Sequence, residues 1–193
     1  MLVSRHSLHW LHSFLLLLAT SPAAADDELF GWRTEAESQG PVYARSAELA
    51  TRMHSEFDRT HRFFDEAYGY AIFPTITRVG FGFGGAYGKG IVVVNDEIVA
   101  RTSYKQFTSG IQAGAKGFGM VIFFRDEAAF QTFEAEQTQF AGQAGIDVLT
   151  VGANGTPSCN EGVAIAVMPK LGLMAEFTIS GVWFRYWPID ESA

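Results

Sequence analysis

The chain carries one cysteine, Cys159, among 193 residues. An internal disulfide is therefore impossible, and a multi-cysteine metal site is excluded. Charged residues are sparse at 18%, while hydrophobic residues reach 48%. A disordered chain is excluded by that balance, and the length suffices for a real core. Cations are in the minority, with 14 Lys and Arg against 21 Asp and Glu and a formal charge of −7. That argues against a general nucleic-acid binder. Of the five histidines, His6, His9 and His12 fall in the first 25 residues. Only His54 and His61 remain beyond them for catalysis or metal binding.

The first 25 residues read as a secretory signal peptide. Arg5 supplies the positive end, and an apolar stretch covers 8–19. Ala23, Ala24 and Ala25 form a small-residue cleavage pattern, with cleavage expected after Ala25. The apolar run is too short to span a bilayer, and no second run reaches ~20 residues. The expected location is periplasmic or secreted. Arg5 is the only charged residue removed, so the remaining chain is one unit more acidic.

Phenylalanine and glycine are abundant, at 17 and 20. From about 44 to 66, Leu49, Met53, Phe57 and Phe64 recur at helical spacing and predict one amphipathic helix. Beyond Gly69 the period changes to two. Residues 71–74 read as a short strand stopped by Pro74. Val79, Phe81 and Phe83 alternate with Gly80, Gly82 and Gly84, which gives one bulky face and one bare face. The stretches 91–94 and 97–100 read as a hairpin turned at Asn95-Asp96. Further strands are expected at 107–115, 120–124, 144–151, 163–168, 173–179 and 182–187. Asp126 reads as the N-cap of a short helix over 128–137. The order predicts an α+β domain: an N-terminal helix on a curved, mainly antiparallel, barrel-like sheet, with one further short helix. The divisions are a signal peptide (1–25), an N-terminal segment (26–44), a domain (45–187) and a tail (188–193).

Several motifs match enzymes only as letters. Gly80-x-Gly82-x-x-Gly85 has the dinucleotide spacing, but it lies inside a strand pattern where a helix should open. No G-x-S-x-G occurs, and both remaining histidines sit on one predicted helix. Cys159 lies in a polar loop, 152–162, with no cation beside it to activate a thiolate. His54, Asp58, His61 and Asp65 follow at i, i+4, i+7 and i+11, within about 60° on a continuous helix. His54, Asp58 and His61 are the weak metal candidate. No cofactor and no catalytic residue are expected.

Trp183, Arg185 and Trp187 share one strand face, an arrangement suited to a bilayer interface. Leu29, Phe30, Trp32 and Arg33 form a second aromatic-basic group. Arg78, Lys89, Arg101, Lys105, Lys116 and Arg125 make the stretch 78–125 locally basic.

Within these strands, Gly69-Tyr70-Ala71-Ile72-Phe73-Pro74, then Arg78-Val79-Gly80-Phe81-Gly82-Phe83-Gly84-Gly85 and Tyr87-Gly88-Lys89-Gly90 resemble the SYLF lipid-binding domain family. The likeness continues through Gly110-Ile111-Gln112-Ala113-Gly114-Ala115, Val121-Ile122-Phe123-Phe124, Gly145-Ile146-Asp147 and Lys170-Leu171-Gly172-Leu173-Met174-Ala175. It covers roughly 45–187. The resemblance implies a non-catalytic domain that binds membrane phospholipid. For an exported bacterial member it implies an anionic glycerophospholipid surface. Lys89 and Lys170 stand at matching basic positions, and Arg78 stands where the family commonly has Lys. Glu176 departs from the family, where a small residue is expected. The expected lipid-binding residues are Arg78, Lys89, Lys105, Lys116 and Lys170, with Trp32, Trp183 and Trp187 as interface anchors. The alternative is an envelope scaffold that binds another protein through the sheet edge or the Gly-rich face.

Overall fold

The computed structural model describes residues 30–33, 36, 39–135, 148–150 and 162–189. The expected signal peptide, 1–25, Cys159 and the Gly145-Ile146-Asp147 motif lie outside the described residues. Helix α1 (Pro41–Glu56) and helix α2 (Asp58–Glu66) precede strand β1 (Gly69–Val94) and strand β2 (Glu97–Phe124). Helix α3 (Glu127–Ala135), strand β3 (Val148–Thr150) and strand β4 (Val163–Pro188) follow. The fold is α+β, as expected. The hydrogen-bonded order is β1-β2-β4-β3, and all pairs are antiparallel except β3 with β4. The sheet is curved and open, so it is not a closed barrel.

The single helix expected over 44–66 is two helices. Phe57 between them is extended, with φ −138 and ψ 93. The Thr60 hydroxyl makes hydrogen bonds to the carbonyl oxygens of Met53 and Phe57 across the corner. The apolar spacing runs on through the break, so periodicity alone does not reveal it. The turn carries Phe63 and Phe64 onto the sheet. There they join Leu49, Ala50 and Met53 of α1 against Tyr70, Ile72, Val121 and Phe123.

The many short strands expected are instead three very long ones. Straight, they would reach about 85–90 Å at ~3.3 Å per residue. Two devices let them curve rather than end. Pro74 does not stop β1; the register shifts between Phe73 and Ile76, and the strand bulges past it. At the middle of the ribbon, Gly82 stands opposite a three-residue stretch, 110–112. Gly82 and Gly110 take φ of 71° and 142° there, which a residue with a Cβ rarely adopts.

The ribbon thus folds over on itself. The Asn95 amide donates to the Tyr68 carbonyl oxygen at 3.4 Å. A Cβ added at Gly69 would fall 2.6 Å from the Val93 carbonyl oxygen, and one at Gly88 would fall 2.9 Å from that of Thr75. The close backbone approaches thus fall at Gly69, Gly88 and Gly90, outside the alternating stretch 79–84, where Gly82 has no atom within 4 Å. Between the two limbs lies a second core of Phe73, Ile76, Val92, Ile122, Phe124 and Phe184, entered from one side by Phe133 of α3. Asp126 caps α3 as expected, its carboxylate accepting the Ala129 amide proton at 3.0 Å. The hairpin turn at Asn95 and Asp96 is also as expected, with φ of 50° and 64°.

Candidate functional site

Pairing register places side chains on faces, because directly opposite residues point the same way. Beyond the bend, Tyr87 pairs with Lys105, Lys89 with Ser103 and Ile91 with Arg101. Across the next ladder, Arg101 pairs with Trp187, Ser103 with Arg185 and Lys105 with Trp183. One outer face therefore carries Lys89, Arg101, Lys105 and Arg185, interleaved with Tyr87, Trp183 and Trp187. All four cations are exposed. Trp183 and Trp187 are 41% and 43% exposed. The opposite face of the same strands supplies Val92, Tyr104 and Phe184 to the inner core. Burial of that face fixes the register, and the register forces the cations and tryptophans outward.

Toward the bend this face runs into bare hydrophobic surface. Phe81, Phe83, Phe107 and Ile111 are 88%, 69%, 54% and 81% exposed, and Val79 adds to them. Phe83 and Phe107 stack at 6.5 Å between ring centroids. Exposed apolar clusters are commonly contact surfaces in folded proteins.

At the other end of the face lies a cleft of about 390 Å³. Lys89, Arg101, Ser103, Tyr87 and Trp187 line it from the sheet, and Val42 and Tyr43 line it from the first turn of α1. No acidic side chain lines it among the described residues. Helix α1 has no acidic residue in its first turn and no side-chain cap.

The structure thus brings together Lys89, Lys105, Trp183 and Trp187 of the expected site, and it adds Arg101 and Arg185. It does not bring Trp32 there. Trp32 is buried in the outer core and donates its indole proton to the Tyr70 hydroxyl at 2.8 Å, so it is unavailable as an interface anchor. Arg78 is also buried, on the inner side of the bend and directly opposite Lys116. Neither reaches the outer face, because both hold even positions on strands whose odd positions, Val79, Phe81, Lys89 and Lys105 among them, carry that face. Lys170 lies beside α1 instead. Partial burial holds its ammonium below the usual lysine range, with Arg45 and Arg52 pushing the same way and Glu48 opposing.

The metal candidate is not assembled. The break at Phe57 removes the continuous helix on which its spacing rested. The His54 and His61 rings stack face to face at 4.3 Å, and Phe30 and Phe64 pack edge-on to His54. Among the described residues no group of three or more His, Cys, Asp or Glu is placed to hold a metal ion. Nor is any described helix long and apolar enough to cross a membrane.

Arg185 was legible between its two tryptophans. Arg101 was not, because parity along one strand does not say which residue stands opposite on the next. The exposure of the bend cluster is not legible in the sequence, since alternation with glycine marks a face without saying what covers it.

The chain is similar to Beta cell expansion factor A of Aeromonas veronii, with 30% identity over 173 residues. The match covers 87% of this chain and 64% of the relative, so the chain spans somewhat under two thirds of that protein's length. No protein-family model matches the chain. No solved structure matches it.

Proposed function

We propose that this protein is a non-catalytic, exported envelope protein of the SYLF lipid-binding kind, which binds anionic phospholipid at a membrane surface. The observation that carries the reading is one continuous outer surface. It holds four cations and two tryptophans on a three-stranded face that ends in the exposed cluster of Phe81, Phe83, Phe107 and Ile111. Cations near an anionic leaflet contribute about 1 kcal/mol each, and tryptophan favours the headgroup level. The bare phenylalanines at the bend would sit deepest, where their exposure to water is relieved. The formal charge of −7 makes this local concentration of positive charge the more telling, since the rest of the chain is repelled by an anionic surface.

Co-sedimentation with vesicles tests the reading. Neutral and anionic vesicles are compared, each at low and high salt. Binding to anionic vesicles that weakens with salt is the expected result. Binding to both kinds regardless of salt would assign the work to the bend cluster. Binding to neither would overturn the membrane reading and bring a protein partner forward.

A further inference from the structure

The cleft at the end of the basic face has features that a diffuse electrostatic surface does not need. Lys89 and Arg101 bring two cations to one concavity. The Ser103 side chain, directly opposite Lys89 and two residues along the central strand from Arg101, is 2% exposed, and its hydroxyl has no hydrogen-bond partner. A buried hydroxyl left without a partner costs free energy unless something else satisfies it. The first turn of α1 forms the facing wall through Val42 and Tyr43. Pro41 has no amide proton and the Ala44 amide donates to the Gly40 carbonyl oxygen, so the Val42 and Tyr43 amides are the ones left at the positive end of the helix dipole, with no acid in that turn to compensate them. The walls between these groups are aromatic: Tyr43, Tyr87 and Trp187.

We infer that this cleft is a discrete binding site for a phosphate ester, one per chain. Cations, a hydroxyl and helix amide protons together supply donors from several directions, as a tetrahedral oxyanion requires. The volume of about 390 Å³ exceeds what a bare phosphate fills and falls in the range of small-molecule pockets. The remainder accommodates a small organic group against the aromatic walls. The phosphate could be carried by a lipid headgroup or by a soluble ester. The lipid source rests on the membrane reading above, while the soluble source stands apart from it.

The test uses the full chain and two probes. Glycerol 3-phosphate is titrated by calorimetry, and vesicles containing phosphatidic acid or phosphatidylglycerol at matched surface charge are co-sedimented. The variants are Arg101→Gln and Ser103→Val in the cleft, and Lys105→Gln on the same face outside it. Glycerol 3-phosphate is expected to bind one to one. Arg101→Gln should weaken it by about tenfold or more, as loss of a charged hydrogen bond does. Lys105→Gln should leave it unchanged. If Ser103→Val fails to fold, exposed Arg101 still decides the matter. A preference for phosphatidic acid that Arg101→Gln abolishes and glycerol 3-phosphate competes away assigns the site to a lipid headgroup. Glycerol 3-phosphate binding without that preference assigns it to a soluble ester. Should vesicles fail to bind while glycerol 3-phosphate binds, the membrane reading falls and the cleft stands. Absence of glycerol 3-phosphate binding, with vesicle binding reduced equally by Arg101→Gln and Lys105→Gln, overturns the cleft and leaves the membrane reading intact.

Discussion

The indole of Trp32 donates a 2.8 Å hydrogen bond to the hydroxyl of Tyr70, and both side chains are buried. The bond ties the segment before α1 to the first residues of β1. Tyr70→Phe keeps the ring and strands a buried indole proton. A destabilisation of about 1–3 kcal/mol is expected in denaturant unfolding. Burial also pushes the Tyr70 phenol well above the ordinary tyrosine range, against a smaller opposing effect of the Trp32 bond. A raised pKa gives stability that is complete below the unfolded value near pH 10 and declines as pH rises above it. The wild type should therefore lose stability from about pH 10 upward, and Tyr70→Phe should lose less over that interval.

Gly90 lies so close to the Ile72 carbonyl oxygen that an added Cβ has no room. Since the obstacle is backbone, it cannot rotate away. Gly90→Ala should cost about 1–3 kcal/mol or more, as overpacked interiors do. Gly82→Ala meets no atoms and is strained only through its φ of 71°. Thermal melts of the two variants separate steric crowding from conformational strain. Equal losses at both sites would count against the folded-ribbon packing.

Phe81 and Phe83 are so exposed that replacing both with serine should shift stability by less than about 0.5 kcal/mol. If they enter a bilayer, each carries about 1.5–3 kcal/mol of burial. Vesicle affinity should then fall by at least about tenfold per residue. A double variant that binds vesicles as the wild type does would remove the bend cluster from the membrane surface.

Lys105 and Arg185 stand on the basic face outside the cleft lining. Neutralising both as glutamine should weaken binding to anionic vesicles by about thirtyfold at low salt, from about 1 kcal/mol each. Binding to neutral vesicles should be unaffected, and the difference should shrink at high salt. Arg78→Gln is the contrasting variant. Its side chain is buried, so its effect should appear in stability rather than in vesicle binding.

The Asp126 carboxyl is held below the usual carboxylate range, first by the Ala129 amide and then by Arg125. A depressed pKa gives stability that is present above the unfolded value near 4 and is lost as pH falls through the folded one. Asp126→Asn can still cap α3, because its side-chain oxygen accepts the same amide proton. It should be nearly neutral at pH 7, and its stability should fall less between pH 4 and pH 2 than that of the wild type. A parallel decline of both proteins would exclude Asp126 from the acid transition.

Elements with a local cause were legible before the fold was known. Asn95-Asp96 reads as a tight turn because both residues tolerate positive φ. Asp126 reads as a cap because its carboxylate reaches an amide three residues on. Trp183, Arg185 and Trp187 share a face because a strand alternates. Each depends on residues within one turn or one strand, so the chain's order alone suffices.

What the sequence by itself determined is the class of fold, the main turn, one helix cap and the periodicity of each face. The tertiary structure decided what each face meets. It turned α1 into α2 at Phe57, carried β1 past Pro74, buried Trp32 and Arg78, and set Arg101 beside Trp187. The course past Pro74, the burial of Arg78 and the place of Arg101 depend on register between strands far apart in the chain. Burial of Phe73, Phe124 and Phe184 in the inner core is what selects that register.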